Sequence, residues 1–155
     1  MDNTLRQAME DRLEGGQLPC KHAFALVQTL GVDPLTVGRA ANDADIRISR
    51  CQLGLFGYGP KAQGKHKIVE PMDDVPHRLS ARLRAASRDG GITCRGLWRV
   101  ADGLGYRRLE ASSAAEAMGL KVTHCQLGCF PRPWFDPPAE DAPPAAETAQ
   151  TGPEG

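Results

Sequence analysis

The chain reads CQLGLF over residues 51–56 and CQLGCF over residues 125–130, an offset of 74 positions. Extended without gaps over residues 5–58, the same offset gives 13 identities in 54 compared positions. A cysteine spacing repeats as well, since 31 residues separate Cys20 from Cys51 and also Cys94 from Cys125. A shared motif together with a shared spacing indicates the duplication of one structural unit.

Hydrophobic periodicity predicts three helices and two short strands in each copy. The helices are expected at residues 4–14, 20–30 and 34–44, and again at 76–88, 94–104 and 108–118. The strands are expected at residues 17–19 and 46–49, and again at 92–93 and 120–123. Each copy therefore has the order helix, strand, helix, helix, strand, which makes the expected fold mainly α with small β elements.

The turn between the second and third helices carries a recognisable set of residues. Gly31 suits a left-handed turn, and Gly105 repeats it in the second copy. Asp33 suits the helix cap, and Pro34 suits the first helical position. Val32 is the apolar residue that plugs the corner.

These turns resemble those of the helix-turn-helix superfamily, and the flanking strands make each copy similar to its winged-helix branch. The resemblance implies one winged-helix unit at residues 1–72 and a second at 73–135. Residues 136–155 are rich in Pro, Ala and Glu and have too few bulky apolar residues to form a core, so we expect a disordered tail there.

By this resemblance, the third helix of each unit would be a recognition helix in DNA. The exposed residues implied as DNA contacts are Thr36, Arg39 and Asn42 in the first unit, and Arg107, Arg108 and Ser112 in the second. The glycine-rich loop at 57–67 would be a wing, with Lys61, Lys65 and Lys67 along the DNA backbone and Ile68-Val69 as its return strand. The implied function is a DNA-binding transcriptional regulator with two linked units.

The charge distribution supports double-stranded DNA as a partner of the second unit in particular. Residues 75–131 contain nine basic and four acidic side chains, whereas residues 132–155 contain one basic and five acidic. Acidic residues on or near the presumed recognition surfaces, such as Asp43 and Glu116, oppose that interpretation. The alternative is a protein-interaction or accessory module with the same fold, since fold does not dictate function.

Four of the five cysteines, Cys20, Cys51, Cys94 and Cys125, occupy repeated positions and leave three interpretations open. They are small buried hydrophobic residues, or thiol pairs that respond to oxidation. Alternatively they bind a metal ion or an iron–sulfur cluster, with one pair from each unit. If Ile46 and Ile48 face the core, Cys51 points outward in a regular strand unless a bulge follows Arg50.

The sequence predicts neither an enzyme nor a membrane protein. The four histidines have no carboxylate partner at a catalytic spacing, and the Gly-x-Gly pairs lack the remainder of a nucleotide-binding motif. No segment has the roughly 18 apolar residues that a membrane helix needs. The N-terminus lacks the pattern of a signal peptide, so we expect a cytoplasmic protein. No cofactor is required by the sequence, although the cysteines permit a metal centre.

Overall fold

The computed structural model describes residues 3–59, 61–131 and 135. Its first unit contains α1 (Asn3–Glu10), β1 (Leu18–Pro19), α2 (Cys20–Leu30), α3 (Pro34–Asp43) and β2 (Ile48–Ser49). Its second unit contains α4 (His77–Ala86), β3 (Gly91–Ile92), α5 (Cys94–Leu104), α6 (Arg108–Ala117) and β4 (Lys121–Val122). The predicted order of elements is therefore confirmed in both copies. The predicted tail at 136–155 lies outside the described residues.

The turns between the second and third helices form as the glycines predict. Gly31 has a φ of 66° and donates its N–H to the Val27 carbonyl oxygen. Gly105 has a φ of 80° and donates its N–H to the Ala101 carbonyl oxygen. Asp33 lies at the N-cap position of α3, but its side chain makes no capping hydrogen bond there, so only its position was predicted correctly.

Each unit contains one small parallel sheet. Strand β1 pairs with β2, and β3 pairs with β4, each over two residues. The predicted return strand at Ile68–Val69 is wrong, because both amides instead donate to the Gly54 carbonyl oxygen at 2.8 and 3.1 Å. The loop expected to be a wing contains a short 3₁₀ helix, Lys61–Gln63, and no strand in its described residues.

Strand β2 ends abruptly before Cys51. Ser49 is buried rather than exposed, and Arg50 has a φ of 49°, which takes the backbone out of strand geometry. The next residue, Cys51, is only 6% exposed. The sequence left open whether Cys51 points outward or the strand is interrupted near Arg50. The structure shows the interruption, and Cys51 is buried.

The two units pack together through their third helices in a reciprocal way. In α3, Gly38 lies against the backbone carbonyl of Leu127, so close that no side chain fits between them. In α6, Ser112 donates its hydroxyl to the Leu53 carbonyl oxygen at 2.7 Å. Positions 38 and 112 are equivalent in the repeat, as are 53 and 127. Each third helix therefore contacts the repeated motif of the other unit.

We predict that Gly38→Ala destabilises the protein, although alanine is the better helix former. The added methyl group would overlap the Leu127 carbonyl, and overpacking of this kind costs about 1–3 kcal/mol. Gly103→Ala in α5 is the control, because its methyl group would meet only Arg82 Nη2 at 3.8 Å. It should stabilise by up to about 1 kcal/mol. Urea denaturation measures both changes, and equal gains in stability would contradict the packing described.

Candidate functional site

The four repeated cysteines lie around one cavity between the two units. Cys20 and Cys94 are the first residues of α2 and α5, and Cys51 and Cys125 lie in the turns after β2 and β4. All four are buried and none forms a disulfide. The remaining walls are apolar or aromatic apart from two glutamines: Phe24, Gln52, Leu53, Phe56, Trp98, Gln126, Leu127 and Phe130.

The cavity is small and closed. Its free volume is about 10 Å³, which is close to the volume that one water molecule needs. Within the described part of the chain, no three His, Cys, Asp or Glu side chains are arranged to hold a single metal ion. A tetrahedral zinc site with bonds of about 2.3 Å requires sulfur atoms about 3.8 Å apart. The four cysteines line a common space, and no three of them are grouped to hold one ion.

The turns of the repeated motif direct backbone N–H groups at two of the sulfurs. Leu127 N donates to Cys125 Sγ at 3.3 Å, and the nearby amides of Gly128 and Cys129 also lower the pKa of Cys125. In the first unit, hydrogen bonding by the amides of Leu53, Leu55 and Phe56 opposes the rise in the pKa of Cys51. Positive φ values at Gly54 (74°) and Gly128 (82°) permit the bend. Several N–H dipoles around one sulfur stabilise a thiolate there.

Each glutamine of the repeated motif donates a hydrogen bond to the helix-starting cysteine of its own unit. Gln52 Nε2 donates to Cys20 Sγ at 3.7 Å, and Gln126 Nε2 donates to Cys94 Sγ at 3.4 Å. Sequence reasoning gave these glutamines no role. One feature of the sequence could have indicated their role: both copies keep a polar residue between Cys and Leu in an otherwise apolar motif. All four sulfurs therefore accept at least one N–H donor.

Arg108 fixes the orientation of Gln52 from the second unit. Its Nη1 donates to Gln52 Oε1 at 3.0 Å, and its Nη2 donates to Asp102 Oδ2 at 3.0 Å. The guanidinium also stacks on the indole of Trp98 at 3.7 Å. This arrangement turns the Gln52 amide so that its N–H group faces Cys20.

Burial and hydrogen bonding give the thiols different pKa values. Burial raises the pKa of Cys20 to about 12 and also raises the pKa of Cys51 and of Cys94. The Cys129 thiol donates a hydrogen bond to Cys125 and lowers the pKa of Cys125 to about 7. The same hydrogen bond raises the pKa of Cys129. A cation in the cavity would have to displace protons from the three less acidic thiols.

Trp98 leaves one polar atom without an acceptor beside the sulfurs. The residue is 9% exposed and lines the cavity, and its Nε1 is buried with no hydrogen-bond partner among the described residues. The ring is held in place by Phe24, whose centroid lies 4.5 Å away. A buried indole N–H usually has an acceptor, and the acceptors on this cavity's lining side chains are cysteine sulfurs and glutamine oxygens.

The residues predicted to contact DNA are dispersed among different environments. Ser112 was expected to be exposed, and this is wrong, since it is 2% exposed and bonded to Leu53. Arg108 is bonded to the first unit, and Lys67 Nζ pairs with Glu116 across the units at 3.0 Å. The exposed predicted residues are Thr36, Arg39, Asn42, Lys65, Lys67 and Arg107, with Arg39 over the Phe135 ring and Arg107 near Glu110. The side chain of Lys61 lies outside the described residues.

Comparison with known proteins adds no assignment. No protein-family model matches the chain, and neither the curated proteins nor the solved structures include a match. Among the described residues, no helix is long and apolar enough to cross a membrane.

We predict that Ser112→Ala costs about 1–3 kcal/mol of unfolding free energy, because the buried Leu53 carbonyl loses its hydroxyl donor. Ser113→Ala, one position along the same helix and less buried, should change stability by no more than about 0.5 kcal/mol. Denaturant unfolding compares the two variants. A neutral Ser112→Ala together with a costly Ser113→Ala would mean that α6 presents a different face to the first unit.

Proposed function

We propose that the protein binds an iron–sulfur cluster between its two units, with Cys20, Cys51, Cys94 and Cys125 as ligands. The observation that carries this proposal is the convergence of one cysteine pair from each unit on a single closed cavity. Thiolates are the ligands that iron–sulfur clusters, zinc and Cu(I) select. Four cysteines are the usual complement for a cluster with two or four irons.

A cluster is proposed rather than a single ion because its thiolates do not have to meet at one point. A single ion draws all its ligands to one point, and no three of the described side chains are placed for that. In a cluster the thiolates bind different irons, so they are held further apart. The cavity is narrow for such a group, so the aromatic walls formed by Phe24, Phe56, Trp98 and Phe130 would have to move outward.

The surroundings of the sulfurs suit the chemistry that a cluster would supply, which is the transfer of single electrons. Backbone N–H groups around Cys51 and Cys125 and side-chain N–H groups near Cys20 and Cys94 stabilise negative charge on sulfur. Such hydrogen bonds, together with exclusion of solvent, set the reduction potential of iron–sulfur proteins. Trp98 Nε1 would provide one more donor.

A centre bound between the units would also hold the two units together. Because ligands come from both units, binding would hold α3 and α6 against the motifs that they already contact. Loss of the centre would remove that restraint. A module of this kind can carry electrons or report on iron and oxidants to a protein partner.

The test is to purify the protein without oxygen and to measure its visible absorption, iron and acid-labile sulfide. We expect a broad sulfur-to-iron absorption band and equal amounts of iron and sulfide, lost in each Cys→Ser variant at positions 20, 51, 94 and 125. Cys129→Leu is the matched control and should retain both, because leucine occupies the equivalent position, Leu55, in the first unit. Zinc without sulfide, or no metal after reconstitution with iron and sulfide, would refute the cluster.

A second candidate function, DNA binding by tandem winged-helix units, has support from a different surface. Five arginines on α4, its C-terminal side and α5 are exposed and make no ion pair within the described residues: Arg78, Arg82, Arg84, Arg88 and Arg99. A group of unpaired guanidinium groups attracts a polyanion. In this version DNA would meet α4 instead of the presumed recognition helices, whose inner faces contact the other unit.

We predict that Arg82→Glu with Arg84→Glu lowers the affinity for duplex DNA at least tenfold at low salt and reduces its dependence on salt. Lys21→Glu, an exposed charge reversal on α2 of the first unit, is the control and should change the affinity much less. Titration of labelled duplex at two salt concentrations measures both. Binding that is unchanged in the double variant, or absent in the native protein, would exclude this surface.

A further inference from the structure

The two units differ at one position of the repeated motif. The second unit has Cys129 where the first has Leu55, so the chain has a fifth thiol that the duplication does not explain. The proposed cluster needs only the four repeated cysteines. Cys129 therefore requires a separate account.

Cys129 lies beside Cys125 in the same turn. The two thiols are close enough to share a hydrogen bond. The turn is closed by the bond from Cys125 N to the Phe130 carbonyl oxygen at 3.1 Å and by that from Gly128 N to the Cys125 carbonyl oxygen at 3.0 Å. Both sulfurs thus belong to one short closed loop, and they can approach each other without movement between helices.

The two sulfurs face different spaces. Cys125 lines the closed cavity with the other repeated cysteines. Cys129 is partly exposed and lines an open groove of about 1110 Å³, which also contains Arg50, Tyr58 and His66. A small oxidant can enter this groove from solvent. The pair therefore connects the enclosed sulfurs to the surface.

We propose that Cys125 and Cys129 form a disulfide when a peroxide enters the groove, and that this bond removes Cys125 from the four-cysteine set. In the first step a thiol attacks the peroxide, so that an S–O bond forms, the O–O bond breaks and one water leaves. In the second step the other sulfur attacks the sulfenic acid, so that the S–S bond forms, the S–O bond breaks and a second water leaves. Two thiols are oxidised by two electrons in total, and hydrogen peroxide is reduced to two waters.

The structure favours this pair over a disulfide between repeated cysteines. Cys20, Cys51 and Cys94 are all buried, and each pair within a unit is divided between a helix and a turn. A disulfide requires Cα atoms within about 7 Å and converging side chains. Of the five cysteines, Cys129 is the one that lines the groove, and Cys125 is in the same turn. Formation of the disulfide does not depend on the proposed cluster, whereas its effect on the centre rests on that proposal.

The test uses the full-length chain, reduced and freed of metal, treated with hydrogen peroxide and then alkylated under denaturing conditions. Both cysteines fall in one tryptic peptide that begins at Val122, so the disulfide lowers the mass of that peptide by two hydrogens. We expect the chain to lose two of its five thiols. Cys129→Leu should lose none under the same treatment, and Leu55→Cys should gain an equivalent disulfide in the first unit.

Three results would overturn the inference: a dominant disulfide between two repeated cysteines, a Cys125 sulfenic acid that persists beside a free Cys129 thiol, or five thiols intact after treatment. Circular dichroism of Cys129→Leu establishes that this variant is folded, and Leu55→Cys provides an independent answer if it is not. Because the assay counts thiols in metal-free protein, its result stands whether or not the protein binds iron.

Discussion

The reciprocal contact between the two units is the constraint on which the remaining features depend. Gly38 lies against the Leu127 carbonyl, and Ser112 donates its hydroxyl to the Leu53 carbonyl. These two contacts place each repeated motif beneath the third helix of the other unit, and so they place all four repeated cysteines around one cavity. They also bury the inner faces of α3 and α6, the faces that cross the unit boundary.

Burial of four thiols in an apolar cavity would normally keep them protonated, as the raised pKa of Cys20 shows. N–H groups directed at their sulfurs have the opposite effect, since they favour the thiolate. At Cys125 hydrogen bonding by the Cys129 thiol and by such N–H groups prevails and lowers the pKa to about 7. The proposed metal centre would account for both features, because it would replace the protons and keep the hydrogen bonds.

The sequence was sufficient to predict the duplication, the order of elements and the left-handed turns at Gly31 and Gly105, because those depend on local patterns. One pair of cysteines from each unit was also among the interpretations that it left open. The sequence could not predict the parallel strand pairing or the contact between units, which depend on how separate segments meet. Ser112 was placed on the surface because a polar residue in a helix usually lies there. Small residues on more than one face of α3, including Gly38 and Ala41, were the available sign of a second contact.

The central claim is that the two units jointly form one site, and native mass spectrometry of the anaerobically purified protein tests it most directly. We expect a single chain that carries the mass of one iron–sulfur cluster. We also expect that replacing both Cys94 and Cys125 by serine abolishes binding, although the cysteines of the first unit remain. Two centres on one chain, a centre held only by paired chains, or a centre retained by the first unit alone would contradict the claim.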